Sequence, residues 1–145
     1  MNSVIVEPMP TSHLTLSTKL VYELGDPNST LRATADRNDA SVVIYAGGEI
    51  DACNEDTWRH LISEAASGVT APGSFVVDVT GLDFMGCCAF AVLAEEAKGC
   101  QKRGVDLRLV SCDPIVTRIV DACGLGGVLP IYPTVDSALS SAARW

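Results

Sequence analysis

Apolar positions along this chain follow two periods. Residues 31–35 alternate apolar and polar, residues 41–46 form a β-branched run, and Arg37-Asn38-Asp39 between them carries turn chemistry. That pattern predicts an antiparallel hairpin. Gly47-Gly48-Glu49-Ile50-Asp51 follows, where the glycines permit an unusual backbone course as the strand leaves the sheet. The period then changes. Trp58, Leu61, Ile62 and Ala65 recur at i, i+3, i+4 and i+7, one face of a helix that Asp51 or Asn54 caps and Gly68 ends.

The stretch 75–90 reads as strand, turn and helix start. Phe75, Val76, Val77 and Val79 make a short apolar run, broken by Asp78 and stopped by Thr80-Gly81. Such a run suits a strand covered on one or both faces. Gly86 supplies a bend. Cys87, Cys88 and Ala89 are small residues at a helix start, where the first backbone N–H groups stay open to a partner. A functional surface is expected at this junction.

The helix predicted over 87–103 turns Phe90, Leu93, Ala94, Ala97 and Cys100 inward, and Gly104 closes it. A strand at 107–110 follows; two strands joined by a helix of this length are parallel, with a right-handed crossover. Asp113-Pro114 opens the next helix, with Ile115, Val116, Ile119, Val120 and Cys123 as its expected buried stripe. Residues 128–132 suggest a short fifth strand, and Thr134 caps a last helix with Val135, Ala138, Leu139 and Ala142 inward. The order predicts a single α/β domain: a mixed sheet of four to five strands with about four helices packed mainly on one face. Residues 1–28 read as a loosely attached extension, able to add an edge strand or stay mobile, and 29–145 as the compact domain.

At 145 residues with 48% apolar and 19% charged side chains, the chain is globular rather than disordered. Its net charge of −8 argues against nucleic acid, which demands a basic patch; Lys98, Lys102 and Arg103 read as a solvated helix end. No apolar run approaches a membrane span, and the N-terminal stretch lacks the basic region of a signal peptide, so no membrane partner and a cytoplasmic location are expected. The six cysteines, Cys53, Cys87, Cys88, Cys100, Cys112 and Cys123, are then reduced thiols. No pair has CxxC spacing, and His13 and His60 stand apart, so neither a metal site nor a cofactor is expected.

Catalytic chemistry finds little footing. Glu49 and Asp51 are close enough to suggest an acid–base pair, but turn and helix-cap roles suit them better, with no nucleophile beside them. A cysteine hydrolase needs a histidine near Cys87 or Cys88, and His60 lies mid-helix. The chain is therefore read as a non-enzyme. Asp78 reads equally as an acid beside a binding surface or as a strand-end carboxylate satisfied by backbone N–H groups. Thr80 and Ser111 read as turn hydroxyls, and Trp58 as core. Phe84 and Met85 read as core residues or as part of an interface.

Four stretches in order resemble the STAS domain, the family of bacterial anti-sigma-factor antagonists and sulphate-transporter tails. Gly48-Glu49-Ile50-Asp51 is similar to that family's G-E-(L/I)-D. Val76-Val77-Asp78-Val79-Thr80-Gly81-Leu82 is similar to its V-V-(L/D)-D-L-S-G-V strand. Phe84-Met85 precedes the helix as in F-M-D-S-S-G-L. Gly124-Leu125 and Leu129-Pro130-Ile131-Tyr132-Pro133-Thr134 are similar to its closing G-L … L-P-(V/I)-Y-x-T. The resemblance runs from about residue 31 to 142. It implies a protein that binds an anti-sigma factor and so frees a sigma factor. An accessory module of a transport or signalling assembly is the alternative. The implied partner surface comprises Asp78, Thr80, Gly81, Asp83, Met85, Gly86 and Cys87, with Glu49 and Asp51 at its border. No oligomeric state follows from it.

One departure from the family pattern bears on regulation. The phosphate-accepting serine of phosphorylation-switched members corresponds to Cys87, and the preceding aspartate to Gly86. The switch that adds about −1.5 to −2 charge there is unavailable at that position. A thiolate at a helix start meets the positive end of the dipole, which makes Cys87 the best reactive thiol. Cys112 follows a strand parallel to 75–79, so Cys87–Cys112 is a plausible redox pair from topology, with Cys123 the competitor. Bonding would bring their Cα atoms within about 7 Å. The plainer alternative is six packing thiols with no regulatory role.

Overall fold

The computed structural model of the chain describes residues 16–38 and 40–140. The readings that involve residues 1–15, Asp39 and Ala142 lie outside the described residues. Helix α1 (Thr18–Gly25) precedes the hairpin of β1 (Leu31–Asn38) and β2 (Ser41–Ile50). Helix α2 (Glu55–Ser67), strand β3 (Gly73–Met85), helix α3 (Cys87–Lys102) and strand β4 (Val105–Val110) follow. Helix α4 (Pro114–Ala122), strand β5 (Ile131–Tyr132) and helix α5 (Val135–Ser140) complete the order. The sheet runs β1-β2-β3-β4-β5. β1 is antiparallel to β2, and the other three pairings are parallel. The hairpin and the parallel pair of central strands agree with the sequence reading.

Strand alternation sorts side chains onto two faces. Val42, Ile44, Phe75, Val77, Val105, Leu107 and Leu109 join the large core beneath α1–α4, with Trp58, Leu61, Ile62, Phe90 and Leu93 from the helices. Val43, Val76 and Val110 point the other way and meet Ala138 of α5 in a second, smaller cluster. β3 and β4 are thus covered on both faces.

Three expectations fail, the first two in the N-terminal segment and in β3. Residues 18–25 form a helix rather than a loose arm, because Leu16, Leu20 and Leu24 recur every four positions and are buried in the main core. Ser17 caps it by accepting from the Leu20 N–H (3.2 Å). Ser17 also donates through N–H and Oγ to the Glu64 carboxylate (2.9 and 2.8 Å), which ties α1 to α2. The second failure concerns β3, which does not stop at Thr80-Gly81. β2 itself continues to Ile50 and pairs Gly47 with Gly81, Gly48 with Leu82, Glu49 with Phe84 and Ile50 with Met85 across two register shifts. At Gly81 a Cβ would lie 2.9 Å from the Ala46 carbonyl oxygen. At Gly48, φ is +93° and a Cβ would fall 1.9 Å from the Thr30 oxygen. The glycines here let two bulged strands stay close instead of ending them.

The stripe of α4 is narrower than its periodicity predicts. Val116 and Val120 are buried, but Ile115 is 58% exposed and Cys123 is exposed at the helix C-cap. Val116 and Val120, four positions apart, form the side of α4 that meets the core, and Ile119 is partly buried against it.

Candidate functional site

The extended β2 and β3 carry the site to one end of the sheet. Ile50 O accepts from the Gly86 N–H (2.9 Å), so the chain leaving β3 is bound to the end of β2 just before α3 begins. This brings Glu49 and Asp51 beside Met85 and Gly86. The start of α3 is held from below by Trp58, fully buried, whose Nε1–H donates to Ala89 O (3.2 Å). Gly86 is the N-cap of α3 and offers no side-chain cap, so the first turn leaves N–H groups open. Cys87 is exposed on that turn.

The border carboxylates are locally engaged. Asp51 Oδ1 accepts from Cys53 N–H (2.9 Å), and the Asp51 N–H donates to Asn54 Oδ1 (3.0 Å). Asn54, at the N-cap of α2, makes no side-chain cap to its own helix; its Nδ2 donates to Thr30 Oγ1 and Glu49 O. Asp78 Oδ1 accepts from both the N–H and the hydroxyl of Thr80 (2.9 and 2.7 Å). Asp78 is in register with Tyr45, whose pKa is raised by partial burial and then by Asp36, Asp78 and Asp136.

Where β3 outruns β4, a groove of about 390 Å³ opens between the end of β3 and the start of α4. Thr80, Asp83 and Met85 of the expected surface line it, together with Phe84, Cys112 and Ile115. Gly81, Gly86, Cys87, Glu49, Asp51 and Asp78 lie outside it. Phe84 and Ile115, 54% and 58% exposed, are among the few large apolar side chains left in solvent. Sequence reasoning placed Ile115 in the core. Spacing alone gives no signal that separates exposed Ile115 from its buried neighbour Val116. Ser111 is buried and its Oγ accepts from the Asp113 N–H (3.1 Å), fitting a turn hydroxyl.

All six cysteines are free thiols. Cys53, Cys87, Cys112 and Cys123 are exposed, Cys88 is half-buried and Cys100 is buried. Burial, then the Glu55 carboxylate, raises the Cys88 pKa. Burial, then Glu96, pushes the Cys100 thiol up to about 11. The Cys112 thiol donates to Pro133 O (3.2 Å). Because Asp78 pairs with Val110, Cys112 leaves the sheet near the level of Thr80, whereas Cys87 follows the whole extension of β3. Among the described residues no group of three or more His, Cys, Asp and Glu is arranged to hold a metal, and no helix is long and apolar enough to cross a membrane.

Fold and site together define a small α/β domain that presents strand ends and helix starts at one edge of a mixed sheet. The sequence pattern of the STAS domain matches residues 32–138, and the chain belongs to that family. Over 139 residues it is 64% identical to Rv2638 of Mycobacterium tuberculosis, provisionally named an anti-anti-sigma factor, spanning 96% of this chain and 93% of that one. It is 57% identical over 114 residues to the anti-sigma-F factor antagonist RsfA of the same species, spanning 79% of this chain and 89% of RsfA. The crystal structure of an anti-sigma factor antagonist from Mycobacterium paratuberculosis has a TM-score of 0.69 at 26% identity, over 82% of this chain and 97% of that chain.

Proposed function

We propose that the chain is an anti-sigma-factor antagonist, a binding protein that engages an anti-sigma factor through the β3–α3 end of its sheet and so frees a sigma factor. The observation that carries this reading is the similarity to RsfA, named an anti-sigma-F factor antagonist, at 57% identity over most of both chains. The geometry supports it. The site is an exposed strand end and an uncapped helix start, fixed from beneath by buried Trp58. The docking surface centres on Asp78, Thr80, Gly81, Asp83, Met85, Gly86 and Cys87, with Glu49 and Asp51 at its border.

Residues 83–90 contain no serine, threonine or tyrosine, so phosphorylation there is not the control. Thiol oxidation at Cys87 is the proposed replacement, with Cys112 or Cys123 as its partner; for Cys112, near the level of Thr80, the pairing includes a movement of the α3 start toward the end of β4. Oxidation joins two thiols as a disulfide, with two electrons and two protons passing to a disulfide or peroxide oxidant. Exposure of all three thiols supports their access to such an oxidant.

The test is titration of the recombinant chain against the anti-sigma-F factor of Mycobacterium tuberculosis, in reductant and in mild oxidant. Cys87→Ala, Cys112→Ala and Cys123→Ala are run in parallel. A complex formed in reductant supports the antagonist reading, and its absence removes it. A change in affinity on oxidation that Cys87→Ala abolishes supports the thiol control, while equal affinity in both conditions removes that part alone. Incubation with an anti-sigma kinase and ATP is expected to leave 83–90 unmodified by mass spectrometry.

A further inference from the structure

The groove between β3 and α4 adds a second wall that the sequence-derived surface did not contain. Phe84 and Ile115, each more than half exposed, line it together with buried Phe90 and Val116. A volume of about 390 Å³ lies at the small end of the range for ligand sites. That is room for one or two side chains rather than a large ligand. Exposed large apolar residues that share one concave site mark a binding surface.

Charge selects the occupant. Asp83 and Asp113 are the charged residues lining the groove, and no lysine or arginine lines it. Asp113 accepts the Ile115 N–H (2.9 Å) and so already places an anion at the start of α4. A second anion there meets two carboxylates, whereas a cation meets two partners.

We propose that this groove receives an apolar anchor side chain carried on a basic segment of the anti-sigma factor, gripped between Phe84 and Ile115, with the flanking cation facing Asp83 and Asp113. The inference rests on the antagonist reading and adds to it an anchor and its charge. Central apolar anchors dominate binding energy, while rim charges govern on-rate and salt dependence.

The test measures binding kinetics against the anti-sigma-F factor of Mycobacterium tuberculosis at low and high salt. The variants are Ile115→Ser, Phe84→Ala, the double variant Asp83→Asn/Asp113→Asn, and Tyr22→Ala as an exposed truncation elsewhere. Asparagine keeps the helix cap at 113 while removing charge. Ile115→Ser and Phe84→Ala are each expected to weaken binding about tenfold or more, through faster dissociation. The double variant is expected to slow association and flatten the salt dependence. Tyr22→Ala is expected to bind as the unaltered chain does.

Both results together, with circular dichroism unchanged, support the inference. It is overturned if Ile115→Ser and Phe84→Ala stay within twofold of the unaltered chain, if Tyr22→Ala weakens binding as much, or if the salt dependence is unmoved. Those outcomes leave the antagonist reading standing, because the unaltered chain still binds. An unaltered chain that forms no complex ends both.

Discussion

Under α1–α4 the sheet presents alternate apolar residues, and the helices answer with Trp58, Leu61, Ile62, Phe90 and Leu93, all buried. On the opposite face, helix α5 lies over β3 and β4, and two of the strand residues on that face are charged. Asp106 and Arg108 are 3% and 1% exposed, with Nε 2.9 Å from the carboxylate. Arg108 also donates to Ala138 O on α5 and lies 5.7 Å from the centroid of the Tyr132 ring. One face is closed by area, the other by a polar latch on a small apolar patch. The contrast teaches that on a small apolar patch hydrogen bonds fix where a helix sits, while the patch itself supplies the stability. Buried ion pairs contribute little net stability but cost much when half-removed.

The comparison can be broken most severely on the apolar face. Trp58→Ala is expected to cost about 3–5 kcal/mol in urea unfolding, by lost burial and an unfilled cavity. It also frees the Ala89 carbonyl in the first turn of α3, so binding at the proposed surface should fall with stability. Arg108→Ala is expected to cost about 3 kcal/mol, the low end for leaving a buried charge alone. Hydrogen exchange should then show faster exchange in α5 and β5 than in α2 and α3. Replacing both partners, Asp106→Leu/Arg108→Met, should return stability to within about 1 kcal/mol of the original. A large loss there would mean that the latch, not the patch, holds α5.

A smaller effect separates the faces by pH. Cys100 is buried on the inner face of α3, and burial pushes its pKa up to about 11 from an ordinary 9.0. The folded state therefore holds the proton that the unfolded chain releases. The stability this contributes is fully present below about pH 9 and is lost as pH rises through about 11. Chemical denaturation across that window should show a steeper decline for the unaltered chain than for Cys100→Ala. The smallest effect is expected at the groove, where Ile115→Ser should change unfolding stability by no more than about 0.5 kcal/mol. That would mark Ile115 as kept for a partner rather than for the fold.

The spacing of residues was sufficient for much of this. Alternation at 41–46 and 75–79 is set by the two-residue period of a strand, and the stripe of Trp58, Leu61, Ile62 and Ala65 by the helical period. Both are local geometry, so both elements and their core faces were legible in the chain alone. Family motifs likewise marked the β3–α3 junction and the cysteine at the head of α3. Four things were decided by contacts between segments far apart in sequence. Leu16, Leu20 and Leu24 carry helical spacing, but only the groove beside α2 gives a short helix enough burial to form. Gly81 reads as a strand stop until β2, bulged at Gly48, runs alongside and supplies the pairing that carries β3 to Met85. Ile115 and Cys123 share the period of the buried residues of α4, yet the core takes only Val116 and Val120, and Ile115 and Cys123 stay exposed. Asp106 and Arg108 belong to the same class. Polar residues on a strand point to solvent by local rule, and it is the return of α5 over β4 that buries them as a pair.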